Sequence, residues 1–141
     1  MKRKWLYVGV AIASILQFLF EGFWFEVLFK QSYIVLQPIQ RSSPELIFNF
    51  LSEVFFALVF GFFYLHVPNE RRSVKSGISI GAILGFLIAM YQFLDWYGSF
   101  NISVSVIVLE IIKTILLSVL CGVVISFTEL KLNPRNKPGV A

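Results

Sequence analysis

From Ile102 to Phe127 the chain is apolar over a length that crosses a bilayer, yet Glu110 and Lys113 stand inside that run. At ~1.5 Å per residue such a segment spans a hydrocarbon core of ~30 Å. Each ionisable group at that depth costs about 2.5–3.5 kcal/mol on insertion scales, and more when left unpaired. A fold that tolerates the pair must therefore bring other polar groups to meet it.

Three further apolar runs are available to do so. Of 141 residues, 57% are hydrophobic, 17% aromatic and only 14% charged, against about 25% charged in soluble domains. The mean hydropathy is +0.80. A soluble fold of this size has no way to hide so much apolar surface. The expected class is all-α, a polytopic membrane protein built as one four-transmembrane-helix bundle. The sixteen phenylalanines read as lipid-facing bulk.

The expected spans cover about 5–25, 45–66, 76–96 and 102–127. A segment at 26–43, with Lys30, Gln31, Gln37, Pro38, Gln40 and Arg41, is too short and broken to cross again and reads as interfacial. Ser42-Ser43-Pro44-Glu45 opens the second span with a serine cap, a proline at the first helical position and an early acid. Pro68 and Asn69-Glu70-Arg71-Arg72 end it after His66. The third and fourth spans are joined by Tyr97-Gly98-Ser99-Phe100-Asn101, and 131–141 reads as a polar cytoplasmic tail. The first span, preceded by Lys2, Arg3 and Lys4, imitates a secretory signal. Its small-x-small site, Ala11-Ile12-Ala13, comes too early for cleavage, so it reads as an uncleaved span.

The net charge of +4 (pI ≈ 9.4) gathers at the ends of the apolar runs, which argues for membrane orientation and against nucleic acid as a partner. Lys2, Arg3, Lys4, Arg71, Arg72, Lys75, Lys131, Arg135 and Lys137 fall on one side, and Lys30 and Arg41 on the other. Both termini are thus expected in the cytoplasm, with the spans in the inner (plasma) membrane of the cell. Trp5, Tyr7 and Tyr64 are placed at the inner interface, and Trp24, Tyr33, Trp96 and Tyr97 at the outer one.

Residues four apart share a helix face. The first span carries Gly9, Ala13, Gln17 and Glu21 on one such line; the second, Asn49, Glu53, Ala57 and Gly61. The third carries Gly77, Gly81 and Gly85, continued by Gln92 and Asp95. The fourth carries Glu110, Thr114, Ser118, Gly122 and Ser126. Each span therefore sets small residues towards the cytoplasmic end and a carboxylate towards the other. Small residues permit close helix approach. The polar ones define an expected outward-opening pocket of Gln17, Glu21, Asn49, Glu53, Tyr91, Gln92, Asp95, Glu110 and Lys113. Lys113 is the one base among four carboxylates, and such crowding is relieved by shared protons or a cation.

Blander readings stand beside this one. Small-xxx-small stripes serve packing alone in many membrane helices. Glu110 and Lys113, at i and i+3, are able to neutralise one another, and Glu21 and Asp95 lie shallow enough to be hydrated. Gln17-Phe18-Leu19-Phe20-Glu21 is echoed by Gln92-Phe93-Leu94-Asp95, as in a parallel duplication or by chance.

No cofactor, metal site or catalytic residue is expected. His66 is the only histidine and lies at the inner end of its span, away from Met90, so no haem is held. Gly77, Gly81 and Gly85 sit within a helix and make no nucleotide loop. Cys121 has no partner for a disulfide or a Cys-x-x-Cys pair.

Gly22-Phe23-Trp24-Phe25-Glu26-Val27-Leu28-Phe29-Lys30 resembles the Gly-x-Trp-aromatic-x-x-Leu-Phe signature of a small four-span bacterial family known as a domain of unknown function. Gly81-Ala82-Ile83-Leu84-Gly85 is similar to its glycine-rich third helix. The resemblance implies the same architecture and no activity; Glu21, Glu26 and Lys113 are not residues of the family's pattern.

The leading expectation is a non-enzymatic bundle, an accessory subunit or a binder of membrane lipids or a protein partner, with self-association or a place in a larger membrane complex. A proton- or cation-coupled transporter acting as an oligomer is the alternative. A lipid-modifying enzyme with Glu53 or Glu110 as base ranks third.

Overall fold

The computed structural model describes residues 4–33, 46–99 and 102–133. Most of the 26–43 segment, the Ser42-Ser43-Pro44-Glu45 cap, Phe100-Asn101 and the tail from Pro134 lie outside the described residues. Four helices long and apolar enough to cross a membrane are present among them: α1 (Lys4–Phe23, continued by a π-helical turn, Trp24–Leu28), α2 (Leu46–Leu65), α3 (Val74–Ser99) and α4 (Val104–Leu132). They run up and down, so the start of α1, the end of α4 and the α2–α3 turn share one end, the termini end, and the α3–α4 turn marks the other. The chain is a multi-pass membrane protein.

α1 with its π turn, α3 and α4 are longer than the expected runs, because a helix continues past the hydrocarbon wherever its backbone bonds stay local. α4 reaches Leu132, where the Asn133 N–H still donates to the Glu129 carbonyl at 2.8 Å. α1 ends differently. Its last turn widens, with the Phe29 N–H bonding back to the Trp24 carbonyl at 3.0 Å. Single π turns of this kind recur at functional sites.

α4 is the centre of the bundle: half of its apolar stretch is buried, against 22–28% in the other three. The α3–α4 seam is the tightest, and small residues make it so. A Cβ placed on Gly81 would lie 2.5 Å from the Ser118 carbonyl oxygen, and one on Gly85 would lie 2.8 Å from the Ser118 Cβ. Gly77 and Gly122 face one another so closely that each would drive a Cβ into the other's carbonyl. With lipid as apolar as leucine, this contact stabilises through dispersion and shape rather than through expelled water. Ala13 and Ala57 are wholly buried where α1 meets α2, and Gly61 admits Leu6, which a Cβ would meet at 2.7 Å. Gly9 abuts Ile125 at an ordinary 3.4 Å.

The aromatic belts differ from expectation. Trp5 and Tyr64 are core residues, packed edge to face at 6.3 Å among Val10, Phe60, Cys121 and Ile125. Trp24 and Tyr33 are also buried, while Tyr7 and Tyr97 remain exposed. A ring that finds neighbouring helices gains more contact there than at an interface, which is why position along the chain alone misplaces it.

At the termini end, Arg72 ties the α2–α3 turn to α4. It reaches Glu129 at 3.1 Å and donates to the carbonyls of Val67 (2.9 Å) and Leu65 (2.5 Å). Glu129 is 1% exposed, so the guanidinium neutralises a charge otherwise stranded in the core.

Candidate functional site

Lys113 projects from α4 into the half of the bundle that carries the α3–α4 turn. Its Nζ lies 2.9 Å from Glu110 Oε2, one helical turn back, and 3.0 Å from Glu21 Oε1 on α1. The third side of the ammonium faces the Phe25 ring, 4.2 Å from its centroid. Two carboxylates and an aromatic face thus replace its water shell.

The second oxygen of Glu110 is held as well. Tyr33 donates to Oε1 at 2.6 Å and accepts from the Trp24 indole N–H at 3.1 Å. The π turn makes this possible, because it brings Trp24, Phe25 and Phe29 round towards the short turn that ends in Tyr33. Trp24 packs on Phe29 at 4.5 Å, and Phe25 on Tyr33 at 4.6 Å. Together with Val106, Ile102 and Leu109 they form a second apolar cluster over the ion pair. Burial, reinforced by the adjacent Glu110, pushes the Tyr33 hydroxyl above the usual tyrosine range, so it stays a donor.

Beside the pair lies a cavity of about 220 Å³, lined on the α1 and α4 side by Gln17, Glu21, Lys113, Thr114 and Leu117, and on the other by Ser52, Glu53 and Phe56 of α2 and Ile88 and Gln92 of α3. α2 rests chiefly on α1 and touches α3 and α4 only sparsely, which leaves the space between α2 and α3. Glu53 is 8% exposed, and its carboxyl faces that of Glu21 closely enough to interact directly. Thr114 donates to Gln92 Oε1 at 3.0 Å. Gln17 is fully buried; its amide nitrogen approaches the Leu117 carbonyl at 3.5 Å, and its Oε1 has no partner among the described residues.

Of the nine residues expected in a pocket, the structure brings Gln17, Glu21, Glu53, Gln92 and Lys113 to the cavity, with Glu110 directly behind Lys113. It does not bring the other three. Asn49 lies in the first turn of α2, whose residues 46–49 are all exposed. Tyr91 is 71% exposed, rotated about 100° from its neighbour Gln92. Asp95 is exposed too: the step from Gln92 is three residues, which turns it back about 60°. In the echoed motif Glu21 follows Gln17 by four, and that one-residue difference separates a half-buried acid that reaches Lys113 from an exposed one.

Ser52, Phe56, Ile88 and Leu117 line the cavity without having been singled out, and Thr114 had stood only as a member of a small-residue stripe. Ser52 adjoins Glu53 in sequence, a usable signal. Tyr33 had none, since its acceptor is 77 positions away. The chain matches no protein-family model, no curated protein and no solved structure.

Proposed function

We propose that the chain is a small non-enzymatic multi-pass protein of the plasma (inner) membrane, with both termini cytoplasmic. It holds the polar part of a membrane lipid or of a partner subunit in the cavity between α2 and α3. The observation that carries this reading is the cavity itself, given polar side chains by all four helices and set at a seam between helices where a membrane-borne ligand has sideways access. Lys113 and Glu110 are already engaged with one another, with Glu21 and with Tyr33, an arrangement that fixes the wall of a recognition site. Basic residues at the termini end support the orientation, and the broad exposed apolar faces leave room for self-association or for a larger complex.

Native mass spectrometry of the protein released from detergent tests the proposal. Wild type should retain a lipid or a partner chain, and Ser52→Trp, placed on an exposed residue beside the cavity, should lose it while staying folded. A wild type that flies as a bare, stable monomer ends the reading.

A further inference from the structure

The cavity wall is chemically one-sided. Three carboxyls, those of Glu21, Glu53 and Glu110, surround a single ammonium, Lys113. Lys113 is spent: two of its directions go to Glu21 and Glu110, and the third to the Phe25 ring. Glu110 is spent as well, between Lys113 and Tyr33. Acceptors remain among the residues that line the cavity, namely the Glu53 carboxyl, the rest of Glu21 and the buried Gln17 Oε1.

The Gln17 oxygen is the independent sign of a ligand. A buried amide carbonyl left unpaired costs about 1–3 kcal/mol, and this one belongs to a fully buried side chain in the cavity lining. A proton shared by Glu21 and Glu53 would relieve their repulsion and leave the Gln17 oxygen unsatisfied. One positive charge carrying three N–H donors satisfies both carboxyls and the amide together.

We infer that the cavity takes a primary ammonium group, carried by a membrane aminolipid or by a small free amine. The inference rests on the proposed reading of the cavity as a binding site and names its ligand chemistry. The cavity volume of about 220 Å³ suits a headgroup of ethanolamine size, and the gap between α2 and α3 leaves the acyl chains in the bilayer. A quaternary ammonium has the charge but no N–H, so it leaves Gln17 Oε1 unpaired and crowds the carboxyls with methyl groups.

The test is thermal unfolding of the full chain in nanodiscs, with ethanolamine, choline and sodium ion as probes. In phosphatidylcholine discs, ethanolamine should raise the Tm saturably, and choline and sodium should not. Glu53→Gln, which keeps shape and removes charge, should weaken the apparent Kd for ethanolamine about tenfold or more. Gln17→Met should weaken it too, without abolishing folding. Phosphatidylethanolamine discs assign the source. Stabilisation there with no added amine points to the lipid headgroup; stabilisation only by free ethanolamine points to a soluble amine; either supports the inference. Equal stabilisation by choline or sodium, no response to any amine, or an unchanged Kd in Glu53→Gln overturns it. Should choline act equally while native spectra still show retained lipid, the ammonium assignment falls and the binding reading stands.

Discussion

Lys113 is 6% exposed and makes ion pairs on two helices, so the two obvious substitutions in its cluster differ sharply. In Glu110→Gln the ammonium keeps Glu21 at 3.0 Å and Tyr33 keeps an acceptor; the loss should be about 1–3 kcal/mol, that of one charged hydrogen bond. In Lys113→Met the Glu21, Glu53 and Glu110 carboxyls lose their common counter-ion, and a buried charge left unpaired costs about 3–5 kcal/mol. Chemical unfolding in detergent should rank Lys113→Met below Glu110→Gln, and equal stability of the two would contradict this account. Much of the cluster was legible in the sequence, because i, i+3 and i, i+4 spacing places Glu110 and the Gln17–Glu21 line correctly. The same arithmetic misplaced Asn49, Tyr91 and Asp95. Helical spacing gives the angle of a residue but not whether it is covered at that angle, and Asn49 is exposed.

The elements depend most on the α3–α4 seam, where the contact is backbone against backbone. Gly81 sits 2.5 Å, from where its Cβ would be, to the Ser118 carbonyl, an atom that moves only if the helix moves. Gly81→Leu should therefore separate α3 from α4, at a cost of about 3 kcal/mol or more, and shift the protein to aggregate in size-exclusion chromatography. Gly98 on the same helix has nothing within 4 Å of the added atom among the described residues. There Gly98→Ala should be neutral or gain up to ~1 kcal/mol from helix propensity. If both variants elute and melt like wild type, close packing does not hold the seam. The stripe Gly77, Gly81, Gly85 was visible in sequence because small residues at four-residue spacing carry their own reason. The π turn at Trp24–Leu28 was not: its sequence is unbroken apolar and aromatic, and it widens to let Trp24 and Phe25 pack around Tyr33, a tertiary demand that no local propensity encodes.

The molecule as a whole is unevenly held. α4 is packed on α3 and α1, Arg72 fastens the α2–α3 turn to its far end, and α2 leans mainly on α1. The free face of α2 is wide, with Leu51, Phe55, Leu58, Phe62 and Phe63 all exposed. Buried contact sets the free energy of local opening, so α2 above Ala57, where it borders the cavity, is the part that yields first. Hydrogen exchange read by mass spectrometry in nanodiscs should show peptides from residues 46–56 exchanging before any peptide of α4 between 106 and 126. A ligand in the cavity bridges Glu53 on α2 to Gln17 and Glu21 on α1, so an occupant should slow exchange at 46–56 selectively and leave α4 unchanged. Uniform exchange across α2 and α4, or protection that spreads evenly over the bundle, would mean that α2 is no looser than its neighbours and that entry to the cavity lies elsewhere.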